Sequence, residues 1–171
     1  VPAGSSTWTS AISIPDTKKI TLQSAGSSVT IITFSLTSGY AIYANFSESR
    51  ITGFNFYLPN SANAINIRGT EWRVDHCKFH VPDTASFSIG VYANGEPTRT
   101  EPTNWILNGL VDNCEFINSR VLVCADLSLL AHGIWARPLG LGTASAVYVE
   151  DCTFTFTKQS NCMDANYGGA Y

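Results

Sequence analysis

Charge is scarce in this sequence. Only 13% of its 171 residues are Asp, Glu, Lys or Arg, and the formal net charge is −3. That is about half the charged share of an ordinary soluble domain. Phosphate recognition needs a clustered surplus of Lys and Arg, so the composition argues against a nucleic-acid partner. Long apolar runs are also missing, and no stretch approaches the roughly 18 unbroken apolar residues of a membrane span. Methionine occurs once, at Met163, and the first residue is Val1. No basic start, apolar run and small-residue cleavage site precede the body of the chain. It therefore reads as a processed or excised piece of something longer. There is no Cys-x-x-Cys pair, no Gly-x-Ser-x-Gly elbow and no Walker loop, so zinc ribbons, thioredoxin-like sites, α/β-hydrolases and P-loop enzymes find no support. A sustained 3.6-residue period, which helical repeats need, is absent too.

What the sequence has is apolar content and repetition. Hydrophobic residues make up 44% of the chain, enough for the core of one domain spanning residues 1–171. Arg73-Val-Asp-His-Cys-Lys-Phe79, Leu110-Val-Asp-Asn-Cys-Glu-Phe116 and Tyr148-Val-Glu-Asp-Cys-Thr-Phe154 share one pattern. Arg50-Ile-Thr-Gly-Phe-Asn-Phe56 and Ser28-Val-Thr-Ile-Ile-Thr-Phe34 follow it more loosely. The pattern defines an anchor column of Ile12, Phe34, Phe56, Phe79, Phe116 and Phe154, with steps of 22, 22, 23, 37 and 38 residues. A second column lies eight residues later: Ile20, Ile42, Ala64, Phe87, Cys124 and Cys162. A third, two before the anchor, reads Ser10, Ile32, Phe54, Cys77, Cys114 and Cys152.

Short β-branched and aromatic segments with period-2 character are strands, and a repeat of this length stacks them. The leucine-rich alternative lacks its Leu consensus. The expected fold is all-β: a right-handed parallel β-helix of about six rungs, each rung stacked on the last at roughly 4.8 Å. Identical columns then become interior ladders of Phe on Phe and Cys on Cys. A Cys124–Cys162 bridge between adjacent rungs is compatible with such spacing in an oxidising compartment, and reduced buried thiols are the alternative. Two rungs exceed the basic length by about 14 and 15 residues. These insertions fall near Asn94–Thr103 and Ser128–Thr143, follow the second column, and should emerge side by side.

The Val-Asp-(His/Asn)-Cys-x-Phe segments, together with the opening Ile14-Pro-Asp-Thr-Lys-Lys-Ile-Thr-Leu22, resemble the pectin-lyase-like superfamily of β-helix proteins. That superfamily holds pectate lyases, polygalacturonases, and phage tailspikes and adhesins. The resemblance covers nearly the whole chain, and it implies a fold rather than an activity. Trp72-Arg73-Val74-Asp75-His76 is similar to the Trp-Ile-Asp-His segment of pectate lyases, with an Arg inserted. The polygalacturonase motifs are missing, and Ala131-His132-Gly133 is the nearest approach to their Gly-His-Gly.

Four residues before the anchor stands an outward column of Thr30, Thr52, Asp75, Asp112 and Glu150. Stacked carboxylates repel, which either recruits Ca²⁺ or raises one pKa toward general-acid work. Asp75, Asp112 and Glu150 are therefore the catalytic candidates. The competing reading has them capping turns or pairing with Arg50, Arg73 and Arg120. Asp126 and Asp164 form a second acidic pair in line with Asn66, where holding turns is the favoured role. Trp72, Trp105 and Trp135 offer flat apolar faces suited to sugar rings. The leading expectation is an extracellular, secreted or virion-surface module without catalysis. It would bind polysaccharide or a cell-surface glycan through the insertions, using Trp105, Trp135, His132, Arg137, Arg99 and Glu101. A lyase or hydrolase acting on acidic glycans, and a structural subunit stacking end to end with its own copies, are the alternatives.

Overall fold

A computed structural model describes residues 1–15, 18–45, 48–60, 62–85, 88–94, 108–124, 147–157 and 163–166. Seventeen strands run through them, and no helix occurs among the described residues. After β1 (Gly4–Trp8) the strands come in triplets. The first triplet is β2 (Ile12–Ile14), β3 (Thr21–Gln23) and β4 (Thr30–Phe34). The next is β5 (Tyr40–Asn45), β6 (Arg50–Thr52) and β7 (Asn55–Tyr57), followed by β8 (Asn63–Arg68), β9 (Trp72–Asp75) and β10 (Lys78–His80). Then come β11 (Ser88–Asn94), β12 (Gly109–Asp112) and β13 (Glu115–Ile117), and β14 (Ser119–Cys124), β15 (Val147–Glu150) and β16 (Thr153–Thr155). β17 (Met163–Asn166) is last.

Each strand pairs in parallel with the strand three places on. The result is three sheets, ordered β1-β4-β7-β10-β13-β16, β2-β5-β8-β11-β14-β17 and β3-β6-β9-β12-β15. This coiling into three parallel sheets is compatible with a parallel β-helix. It follows from the sequence because each strand is too short to bury a face alone and each triplet presents apolar residues at the same inward positions.

The core is a set of ladders. In the third sheet, Leu22, Ile51, Val74, Val111 and Val149 occupy one register position. In the second, Ile12, Ile42, Ile65, Val91 and Val121 do the same. In the first, Phe56, Phe79, Phe116 and Phe154 stack with centroids 5.6, 4.8 and 4.7 Å apart and rings within 8–17° of parallel. Gly90, beside an irregularity in the β11–β14 pairing, leaves room for this pile. A Cβ there would press on the rings of Phe79 and Phe116. Cys77, Cys114 and Cys152 run alongside as free thiols, their Sγ atoms donating to the carbonyls of Ile51, Val74 and Val111 at 3.7–3.9 Å. The hydrogen bond with Cys152 favours a Cys114 thiolate. Contact with Cys77 and burial outweigh it and push that thiol far up.

The register corrects several expected columns. The ladder holds from Phe56 onward, but Ile32 rather than Phe34 faces Phe56, and Phe34 faces Trp8. Ile12 lies in the second sheet, opposite Ile42. A slip of two residues keeps the same side chains inward, so apolar alternation cannot detect it. The eight-residue column dissolves. Ile42 meets Ile65 rather than Ala64, and Cys124 stands level with Asn94 and Asn166. The turn after the anchor varies in length from coil to coil, so no fixed offset survives. Phe87 and Cys162 lie outside the described residues, and the register gives Cys124 no cysteine neighbour. Thr30 belongs to the first sheet, opposite Gly4, while Gln23 stands over Thr52. Leu122, itself level with Tyr92 and through it Asn66, is the neighbour of Asp164. Asp126 lies outside the described residues.

Candidate functional site

The carboxylate column is real. Thr52, Asp75, Asp112 and Glu150 are consecutive register partners in the third sheet. They alternate with the inward Ile51, Val74, Val111 and Val149 and so leave the core, yet Asp75 is 0% exposed and Asp112 only 4%. Arginines cover them. Two residues earlier on the same outer face stand Arg50 and Arg73, each diagonal to the carboxylate of the next coil. Arg50 grips Asp75 with Nε–Oδ1 and Nη2–Oδ2 bonds of 2.7 and 2.5 Å. Arg73 grips Asp112 in the same way at 2.8 and 2.6 Å, while its Nε lies 3.9 Å from Asp75. Thr52 adds a hydroxyl bond to Asp75. Burial opposes the charge on Asp75, and the bonds from Arg50, His76 and Thr52 outweigh it and hold the carboxyl below its usual value. Asp112 follows the same balance, with Arg73 and Asn113 overcoming burial.

The staircase stops at Glu150. The position that would supply its guanidinium is Leu110, and Glu150 is exposed.

Directly after this column the chain turns from the third sheet into the first. The turning residues are Gly53, His76, Asn113 and Asp151, with φ of 83°, 53°, 50° and 50°. Glycine enters this left-handed region freely, and Asn, Asp and His are the side-chain-bearing residues enriched there. His76 is held there with Nδ1 at 2.7 Å from Asp75 Oδ2 and its side chain 59% exposed. An ionised carboxylate only accepts hydrogen bonds, so Nδ1 carries the proton, and in the uncharged tautomer this leaves the lone pair on Nε2. His76, Asn113 and Asp151 line a shallow open groove of about 390 Å³ with Ser27, Lys78, Glu115 and Thr153. Lys78 Nζ and a Glu115 carboxylate oxygen are 3.0 Å apart.

The insertions leave from neighbouring points. Asn94 and Cys124, the last residues of β11 and β14, are register partners, and so are Gly109 and Val147, where β12 and β15 begin. Trp105, Trp135, His132, Arg137, Arg99 and Glu101 lie outside the described residues. Trp72 is not a surface aromatic. It is 1% exposed, facing inward beside Val74. No group of three or more His, Cys, Asp or Glu with the geometry to hold a metal ion occurs among the described residues.

No family model matches this chain, and neither a curated protein nor a solved structure is significantly similar to it.

Sequence reasoning passed over two groupings. The Asp75–His76 pair was visible only as adjacent letters, since neighbours in a strand face opposite ways and the turn alone lets them meet. Tyr40 stacks on Tyr92 at 5.9 Å and meets Tyr43 edge-on at 5.5 Å. Burial first, then Tyr43, pushes the Tyr40 hydroxyl to about 12. Tyr40 and Tyr43 lie on one strand, and Tyr92 stands at the Tyr43 register position two coils on. The varying turn length between coils hides that column from the sequence.

Proposed function

We propose that this chain is a right-handed β-helix of about six rungs with the architecture of the pectin-lyase-like superfamily, and that it acts as a rigid extracellular or virion-surface module binding polysaccharide through its two insertions. The right hand rests on the near-universal preference of parallel crossovers. The observation that carries the binding reading is the pairing of Asn94 with Cys124 and of Gly109 with Val147. Insertions that leave and re-enter adjacent coils at paired residues are suited to a common binding face, and Trp105 and Trp135 are their residues with rings able to stack on sugars.

The arginine staircase weighs against the alternative in which Asp75, Asp112 and Glu150 cleave an acidic glycan. A general acid needs a raised pKa, and two of these three carboxyls are held low. The test is retention of the protein in gels containing acidic or neutral polysaccharides, with and without Ca²⁺, scored together with new reducing ends and unsaturated products. Retention that falls at least tenfold in a Trp105→Ala/Trp135→Ala variant, without product, supports the reading. No retention on any polysaccharide, or equal retention by the variant, overturns it.

A further inference from the structure

The corner groove belongs to a different turn of the coil from the insertions. It lies where the third sheet turns into the first, whereas the insertions join the second sheet to the third. It holds a constellation that a solvated surface does not require. A fully buried, ionised Asp75 orients the imidazole of His76, and Arg50, Thr52 and Arg73 fix Asp75 from the other side. His76 itself lines a concavity whose other residues bring hydroxyl, amide, ammonium and carboxylate groups together with Cys77 and Cys114. One ammonium and two carboxylates leave that lining without the positive excess that a phosphate or acidic chain would need. Hydrogen-bonding groups of both kinds suit a polyhydroxylated ligand.

We propose that this groove is a hydrolytic site for acyl esters carried on such a ligand, an O-acylated sugar chain, with His76 as proton acceptor and Asp75 as its positioning residue. Ser27 lines the groove with no described hydrogen bond to His76, and the Cys77 and Cys114 thiols are buried, so the nucleophile in this proposal is water. Nε2 takes a proton from the water as its oxygen bonds to the acyl carbon. The bond from that carbon to the sugar oxygen then breaks, and the imidazolium returns the proton to the departing oxygen. The products are a carboxylic acid and a free hydroxyl, and the ring is unchanged. Lys78, on the same groove, is the cation available to the developing oxyanion. A glycosidic bond is the less suitable target, because its cleavage employs two carboxyl groups and one of the two on this groove, Glu115, is paired with Lys78.

The test uses the whole chain with p-nitrophenyl acetate and acetylated xylan as probes. His76→Asn keeps the left-handed turn, since Asn113 occupies the equivalent position. Asp75→Asn removes the charge that fixes the tautomer. The expected result is release of p-nitrophenolate and acetate at least tenfold faster than by free imidazole at equal concentration. That release should be lost in His76→Asn and reduced at least tenfold in Asp75→Asn. In ¹⁵N spectra at pH 8, wild-type His76 should carry its proton on Nδ1, and Asp75→Asn should move it toward Nε2. A wild-type rate no better than imidazole, an undiminished His76→Asn rate, or an Nε2-protonated wild-type ring overturns the proposal. Because neither variant touches the insertions, polysaccharide retention by Trp105 and Trp135 stands or falls independently.

Discussion

Trp72 and Gly109 are register partners on neighbouring coils, and the indole of the first occupies the space that a Cβ on the second would need. The two side chains form one inward-facing unit, large on β9 and absent on β12, at the point where the first insertion re-enters the coil. Gly109 is required by contact here, without any unusual backbone angle.

Gly109→Ala should therefore destabilise the protein by about 1–3 kcal/mol, the usual cost of overpacking a core. Urea unfolding should give a lower midpoint with an unchanged slope. Equal midpoints would mean that Trp72 can step aside.

The aromatic pile makes a graded prediction. Phe116 is fully buried with a ring on either side, so Phe116→Ala should cost about 3–5 kcal/mol. Phe154 is only partly buried, and Phe154→Ala should cost clearly less. Chemical denaturation of the two variants side by side checks the order.

The ion pairs set a pH dependence. Asp75 and Asp112 have carboxyls held below their unfolded value, so their contribution is fully present above about pH 4. It is lost as the pH falls through the lowered folded values. Arg50→Ala should cost about 1–3 kcal/mol at pH 7, tempered because the arginine side chain is 44% exposed. The difference from wild type should shrink in strongly acidic buffer. Unfolding midpoints at pH 7 and at pH 2–3 test this, and a constant gap would show that Arg50 acts through packing alone.

Thiol chemistry reports on the interior ladder. The Cys114 thiol is pushed far up in pKa and buried among thiols and carbonyls, while Cys152 lies nearer the surface. Iodoacetamide at pH 8 should leave Cys77 and Cys114 unmodified in the native protein and alkylate both in urea, as read by peptide mass. Native labelling of Cys114 at the rate of a free thiol would contradict the ladder.

Part of this architecture is legible from residues alone. Phe79, Phe116 and Phe154, with Cys77, Cys114 and Cys152, repeat as the same letters at the same spacing, so their stacking needs no structure to be seen. Arg50 and Arg73, named with Arg120 as partners for the carboxylates, were legible too; Arg120 stands in β14 of the second sheet. What fails is phase. Ile32 and Phe34 face the same way, and only hydrogen bonding decides which of them meets Phe56. The contact of His76 with Asp75 depends on a left-handed turn that no local pattern demands of histidine. Trp72 carries no mark separating an inward ring from a sugar-facing one, and the decisive letter is Gly109, on the next coil and 37 residues away.

Each arginine of the staircase makes its paired hydrogen bonds forward, from its own coil to the acid of the next, which gives the stack a polarity that its ladders of identical side chains lack. Lengthening it is therefore not equivalent everywhere. A second copy of the coil running from Arg73 to Gly109 places one Arg before each Asp and keeps every link. A second copy of the coil from Arg50 to Trp72 sets one guanidinium opposite Thr52 and leaves it without an acid. Growth of such a protein by duplication is thus directional, permitted where the pattern already repeats itself and penalised at the coil where it begins.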